Sequence, residues 1–268
     1  INIPTYDSHL IEEARSKGIL FIGFDIDELQ KTVKGLCPEA EFADWQQIKL
    51  DDGRAVFDGR DLASFRSALL GVIGDHGKLA TSVQDYLADS GVKCFLYGTT
   101  DDLNNKLLQT VRMARDGVPQ IRTIITDTDG IEAKDLAKEL GLPLVSKVID
   151  GSKGRGVEKH DSAEELAGWL KGATGMHIFQ EFVPNDGDFR VFFVGDEIVF
   201  TIKRTRDGDE FRNNTALGGK SEDAELPAEA IKIAKLANKC MGSGLGDVTG
   251  VDIVQSSKTK EWFVIEIN

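Results

Sequence analysis

The sequence predicts an α/β chain, and three observations carry that expectation. Through the first two thirds, helical and strand-like periods alternate, as where residues 8–17 end at Gly18 and run into the apolar stretch 19–24. Residues 188–203 form two β-rich runs split by Gly195-Asp196, a two-residue hairpin signal. Residues 248–254 and 262–268 form a second pair of apolar strands joined by a polar connection at 255–261.

Composition sets the bounds. At 268 residues the chain suits one large domain or two to three small ones. An apolar fraction of 41% and a charged fraction of 29% suit a chain with a packed core. A net charge of -13 argues against a general nucleic-acid binder, although a local cationic pocket is compatible with it. The three cysteines, Cys37, Cys94 and Cys240, have neither metal nor redox spacing, so reduced thiols in a cytoplasmic setting are expected. No apolar run approaches the ~18 residues of a spanning helix, and no secretory signal pattern is seen. No membrane or nucleic-acid partner is expected.

Taken in order, residues 8–17 read as a helix with Leu10, Ile11 and Ala14 on one face, and 19–24 as a buried strand. Residues 44–58 suggest a loop and short hairpin around Asp52-Gly53. Residues 62–73 suggest a helix with a strand-like end, 81–90 a helix and 93–97 a strand. Residues 101–115 are expected to form an amphipathic helix capped by Asp101-Asp102, with Leu103, Leu107, Thr110, Val111 and Ala114 as its stripe. A strand at 121–126 and a helix at 131–140, closed by Gly141, come next. The strand 144–148 contains a lysine, and Ser162-Ala163-Glu164-Glu165 is a capping-box start for a helix to 170. Residues 227–241 read as helix. Breaks fall near Gly98-Thr99 and near Gly175, giving units of 1–98, 99–177 and 178–268.

Several stretches are chemically specific. The loop 151–156 places three glycines and two cations, Lys153 and Arg155, in six residues. Such a loop can turn backbone N–H groups toward phosphate oxygens, although an ordinary glycine hairpin has the same composition. Lys147 lies in an apolar strand just before it, where a cation is costly unless paired, and a bound phosphate would compensate it. In the 188–203 ribbon, Phe189, Val191 and Phe193 should share a core face with Ile198, Phe200 and Ile202. Asp188, Arg190, Thr201 and Lys203 then fall on the other face. The polar run 206–220 is long for a hairpin loop and has no core to build. If the last hairpin folds about Thr259, Asp252 faces Glu266, Val254 faces Val264, and Asn268 falls on the Glu266 face. Opposed carboxylates with Cβ atoms about 5 Å apart repel. A divalent cation between them removes the conflict, and all-oxygen ligands suit Mg²⁺.

Together these pieces resemble the ATP-grasp ligases, and within them the RimK-like branch. The matching residues are Asn105-Lys106-Leu107, Val145-Ser146-Lys147-Val148, the loop GSKGRGV, Gln180-Glu181-Phe182-Val183 and Asp188-Phe189-Arg190-Val191. They continue with DEFRNNTALGGK, Gly250-Val251-Asp252-Ile253 and Glu266-Ile267-Asn268. The likeness covers about residues 101–268 in the family's order. The first hundred residues match only loosely.

The resemblance implies an ATP-grasp fold, with a Rossmann-like N-terminal domain and two antiparallel-sheet lobes clasping ATP. It implies that Lys106 and Lys147 bind phosphate and that Gly151, Ser152, Gly154, Arg155 and Gly156 belong to a lid over the phosphates. Gln180, Glu181, Phe182 and Val183 resemble the adenine hinge, and Asp188 the ribose contact. Lys203 is placed with the nucleotide contacts, although an acidic residue is common there. Asp252, Glu266 and Asn268 resemble the ligands of Mg²⁺, with Mn²⁺ as the alternative ion. Arg212 and Asn214 look like the charge-stabilising pair at the γ-phosphate, with Arg190 and Arg204 facing the acid substrate.

The implied chemistry is attack of a carboxylate on the γ-phosphate to give an acylphosphate, which an amine opens to an amide. No protein nucleophile is required, and the chain carries no Ser-His or Cys-His pattern. The expected function is therefore an ATP-dependent carboxylate–amine ligase that adds an amino acid such as glutamate to a peptide, protein tail or small acid. A peptide-crosslinking maturase and an ATP-binding regulator are the alternatives. Lys147, Asp252, Glu266 and Asn268 speak against the regulator. Thr205 stands where a second arginine is common, on the substrate side, so the departure bears on the acceptor. A homo-oligomer is compatible with the sequence.

Overall fold

In a computed structural model, residues 18–23, 27–72, 76–98, 105–149, 156–206, 220–241 and 248–268 are described. The helix expected at 8–17, most of the glycine loop (Gly151, Ser152, Gly154, Arg155) and the run holding Arg212 and Asn214 lie outside them. The chain divides into two compact units: residues up to 101 with 245–248, and residues 102–244 with 249–268.

The first unit contains β1 (Ile19–Ile22), α1 (Asp27–Leu36), β2 (Ala40–Ala43), β3 (Ile48–Asp51), β4 (Arg54–Phe57), β5 (Arg60–Asp61), β6 (Ser67–Val72), α2 (Gly77–Asp89) and β7 (Lys93–Gly98). Strands β2, β1, β6 and β7 pair in parallel in that order. Leu20, Ile22 and Leu70 are buried in the sheet, with Val83 and Leu87 of α2 packed against it. The Asp52-Gly53 hairpin is present: Asp51 faces Arg54, and both turn residues take positive φ, 46° and 74°. The helix expected at 62–73 shrinks to one 3₁₀ turn, Leu62–Ser64, ahead of β6. Leu62 and Phe65 are both buried, and their spacing of three fits a single turn as well as a helix. Asp61 caps that turn through the Ala63 N–H at 2.8 Å.

The second unit runs through α3 (Lys106–Arg115), β8 (Thr123–Asp127), α4 (Ala133–Leu140), β9 (Leu144–Val148), β10 (Val157–His160), α5 (Ala163–Leu170), β11 (Met176–Glu181), β12 (Asp188–Val194), β13 (Glu197–Thr205), β14 (Lys220–Asp223), α6 (Ala228–Cys240), β15 (Val248–Gln255) and β16 (Trp262–Ile267). It contains two sheets. One is antiparallel in the order β10-β9-β11-β8. Helices α4 and α5 cover one of its faces with Leu136, Leu140 and Leu166 against Leu144 and Phe179. Because side chains alternate along a strand, Val145, Lys147, Ile178 and Gln180 project from the other face. Ser162 caps α5 as expected by accepting the Glu165 N–H, while the Glu165 carboxylate accepts the Asp161 N–H.

The second sheet runs β14-β13-β12-β15, with β16 also on β15. Its two hairpins both depart from simple register. Val194 faces Glu197 and Phe193 faces Ile198, but a bulge between Phe192 and Phe193 shifts the rest by one residue. Val191 then faces Thr201, and Phe189 faces Lys203. The face with Asp188 and Arg190 gains Arg204 and Ile202 in place of the expected Thr201 and Lys203. Phe200 leaves the expected core face and stacks on Phe192 with ring centroids 4.1 Å apart. In the last hairpin Asp252 does face Glu266. A second bulge, between Asp252 and Ile253, sets Ile253 rather than Val254 opposite Val264.

Helix α3 also differs from its sequence reading. Asn105 caps it, accepting the Leu108 N–H at 3.2 Å, so Asp101-Asp102 does not. Its buried residues are Gln109 and Met113, whereas Leu107 and Val111 are exposed. The inward stripe is Lys106, Gln109, Thr110 and Met113, spaced as one helical face.

Candidate active site

That inward stripe of α3 forms one wall of a cleft within the second unit. Lys147, Ile178 and Gln180 form a second wall, and Ile265 and Glu266 of β16 a third. The cleft encloses about 290 Å³ of non-atom space, part of it open to solvent. Each wall follows from local structure. Lys147 faces Ile178 across β9 and β11, and Gln180 follows two residues on. Glu266 is carried by the last strand, and Lys106 by the first turn of α3.

Charge in this cleft is mixed. Burial pushes the Lys147 ammonium below the ordinary lysine range; Glu266 pulls it up and Lys106 pushes it further down. Two like charges beside one carboxylate leave room for an anion to compensate them. Gln180 adds a more specific feature. Its Nε2 donates to Thr123 Oγ1 at 2.8 Å. Its Oε1 is buried and accepts no hydrogen bond among the described residues. An orphaned buried acceptor of this kind costs about 1–3 kcal/mol unless a donor reaches it.

The residues that follow Gln180 are also placed. Gln180 and Glu181 end β11, and the Phe182 and Glu181 N–H groups donate to Pro143 O and Arg122 O at 3.1 Å each. Val183 packs with Ile121 and Val254. Lys159 lies 5.0 Å from the Phe182 ring centroid, a cation–π contact. Gly156 takes φ 66°, and an added Cβ would come within 2.7 Å of Val148 Cγ2, so a side chain there is both strained and crowded.

On the second sheet a buried charge network runs through four residues. Arg190 donates to Asp252 through Nε to Oδ1 at 2.6 Å and Nη2 to Oδ2 at 2.7 Å. Arg204 Nη2 reaches Asp252 Oδ2 at 2.9 Å, and Arg204 Nε reaches Asp188 Oδ1 at 2.6 Å. Burial raises the Asp188 carboxyl to about 6, opposed by Arg204 and reinforced by Asp252. Burial also pushes the Asp252 carboxyl upward, but Arg190 and Arg204 outweigh it and hold it below the usual range. Lys203 lies apart from the network, opposite Phe189, with Nζ 6.0 Å from that ring's centroid.

The donors at the strand end suit a hard cation. Asn268 Nδ2 lies 3.4 Å from both Asp252 Oδ2 and Glu266 Oε1, so two carboxylates and an amide converge. Turned about its χ2, that amide presents an oxygen, which gives the oxygen set magnesium favours. Asp252 Oδ2, the oxygen that faces Asn268, already accepts N–H groups from both Arg190 and Arg204, so a cation there shares that oxygen with the two arginines. Among the described residues no group of three or more His, Cys, Asp and Glu forms a metal cluster.

Residues 103–268 match the RimK-like ATP-grasp domain. The chain belongs to the RimK-like ATP-grasp family. The chain is 32% identical over 170 residues to a probable alpha-L-glutamate ligase of Parasynechococcus marenigrum, covering 61% of this chain and 35% of that protein. It is 33% identical over 173 residues to the alpha-aminoadipate–LysW ligase LysX of Saccharolobus solfataricus, covering 61% of this chain and 60% of that one. The chain thus spans between about a third and three fifths of the length of these relatives. The ATP-grasp fold is shared with the ATP-grasp ligase PsnB, solved with a phosphomimetic variant of a minimal precursor, Mg and ADP. That likeness has a TM-score of 0.68 at 20% identity over 93% of this chain and 89% of PsnB.

Sequence reasoning missed two further contacts in and near the cleft. Gln109 contacts the backbone of Ile267 through both ends of its amide, at 2.7 and 3.0 Å. Lys159 reaches the Phe182 ring. The first had a legible signal, the spacing of Lys106, Gln109, Thr110 and Met113 on one helical face. The second depends on strand pairing, with Lys159 opposite Val145.

Proposed function

We propose that the chain is an ATP-dependent carboxylate–amine ligase, joining an amino acid such as glutamate to a peptide, protein tail or small acid. The observation that carries this reading is the gathering of Lys106, Lys147 and Glu266 in one cleft, with Glu266 facing Asp252 across the last hairpin. The curated relatives named as amino-acid ligases support the acid–amine class.

On this reading the ATP phosphates lie against Lys106 and Lys147, whose mutual repulsion they relieve. The exocyclic amine of adenine supplies the donor that Gln180 Oε1 is built to accept. Phe182 and Val183 close the base pocket, and Asp188 faces the ribose. Glu266, Asn268 and Asp252 would hold magnesium, which would neutralise charge on the phosphates. Arg190 and Arg204 orient the acid. Arg212 and Asn214, with the 151–156 loop, complete the site over the γ-phosphate.

The reaction needs positioning and charge neutralisation rather than a protein nucleophile. A carboxylate oxygen of the acid attacks the γ-phosphorus, the bond to the bridging oxygen breaks, and ADP leaves. The amine nitrogen then attacks the acyl carbon, loses a proton, and inorganic phosphate departs.

The test is ADP release by purified protein with Mg²⁺, ATP and a panel of acids and amines. The reading expects ADP only when an acid and an amine are both present, with a matching mass gain on the acceptor. Cross-linking within one peptide, seen as loss of water without an added residue, would assign a peptide maturase instead. Tight ATP binding with no ADP from any pair would make the chain a regulator.

A further inference from the structure

Gln109 is the buried polar residue of α3 that no step above requires. It is 3% exposed, and its amide meets both backbone polar groups of one residue of the last strand. Gln109 Nε2 donates to Ile267 O at 2.7 Å, and the Ile267 N–H donates to Gln109 Oε1 at 3.0 Å. A primary amide has the donor and acceptor of a peptide group, so Gln109 acts as one residue of a missing strand. It is needed because the β15 side of the strand is already satisfied one residue later, where Gly250 and Asn268 exchange two N–H···O bonds of 2.8 Å. Ile267 therefore turns its own N–H and C=O toward α3.

The placement matters because of what flanks each end of this contact. Ile267 sits between Glu266 and Asn268. Gln109 lies three residues after Lys106, on the same face of the helix. One buried amide thus ties the helix that carries a phosphate-facing lysine to the strand end that carries two oxygen donors.

We propose that Gln109 is a positioning residue that holds Lys106 at a fixed separation from Glu266 and Asn268, so that metal and phosphate are bound as one unit. The proposal rests on the ATP-and-magnesium reading. It predicts that loss of the amide uncouples metal from nucleotide before it weakens nucleotide binding itself. Residues that orient metal ligands from behind typically change metal affinity by about 10–100-fold.

The experiment measures two quantities on wild type, Gln109→Met and Gln109→Asn. The first is the affinity of a non-hydrolysable ATP analogue in the presence of a chelator. The second is Mn²⁺ affinity in the presence of that analogue, read by electron paramagnetic resonance. Methionine keeps the length without the polar ends, and asparagine keeps the amide but withdraws it by one methylene. The proposal expects metal-free nucleotide affinity within about threefold of wild type and a Mn²⁺ affinity about tenfold or more weaker. Unchanged Mn²⁺ affinity overturns it. So does an equal loss in both quantities, which would mark a general loosening of the fold. If the methionine variant does not fold, the asparagine variant decides by the same two outcomes. A wild-type protein that binds no nucleotide overturns the parent reading along with this one, and shows itself before any variant is made.

Discussion

Arg190 and Asp252 meet through two nearly parallel hydrogen bonds, at 2.6 and 2.7 Å, across neighbouring strands β12 and β15. Gly250 leaves room for the approach, since a Cβ there would lie a tight 3.2 Å from Arg190 Cδ. The Asp252 side chain is only 3% exposed, so its charge depends on this partner and on Arg204. Removing one member of a buried pair typically costs about 3–5 kcal/mol. Arg190→Ala should destabilise the fold by roughly 2–3 kcal/mol, because Arg204 stays in place. Urea unfolding checks it, and a loss under about 0.5 kcal/mol would show that Arg204 suffices alone.

Glu266 is the carboxylate common to the cleft and the strand-end donor set. Glu266→Gln keeps shape and hydrogen bonding while removing the charge. We expect ADP release to fall at least a thousandfold with the melting temperature nearly unchanged. Full turnover in that variant would remove Glu266 from the metal site.

Asp188 makes stability depend on pH. Its carboxyl rises from 3.8 to about 6, so between those values the folded chain binds more protons than the unfolded one. Its contribution is therefore complete below about pH 4 and is lost as pH rises through 6. Arg204, Asp252 and Arg190 are the charged groups that face it. The stability of wild type relative to Asp188→Asn should fall by on the order of 2 kcal/mol from pH 4 to pH 7. A difference that grows with pH would mean that Arg204 outweighs burial.

Gln180→Met removes the orphaned acceptor while keeping Phe182 and Val183. The variant should bind ATP about tenfold more weakly than wild type and lose its preference for ATP over inosine triphosphate, which lacks the exocyclic amine. Competition binding measures both. An unchanged preference would assign the amine to another acceptor.

What the sequence showed best was local chemistry. A lysine inside Leu144-Val145-Ser146-Lys147-Val148 marked the cleft because an apolar strand tolerates a cation only beside a partner. The tip of each hairpin was also legible, since Gly195-Asp196 sets Val194 against Glu197. Beyond the tip the reading failed at Phe200 and Ile202, because the bulge at Phe192/Phe193 has neither glycine nor proline to announce it. Helix α3 was read only in part: Thr110 faces inward as expected, but Leu107 and Val111, which look like core, are exposed, and Lys106, Gln109 and Met113 line the cleft with Thr110. The link from Arg190 to Asp252 joins residues 62 apart and depends on which strands become neighbours, which no local pattern records.

The bulge in the last hairpin separates its two ends. From Trp262 to Val264 the strand follows one parity, and from Glu266 to Asn268 the other. Crowding or lengthening near the polar tip can be absorbed at Ile265 before it disturbs the Asp252–Glu266 pair. The tip is thus a place where an added residue can be taken up while Asp252 and Glu266 stay opposite one another.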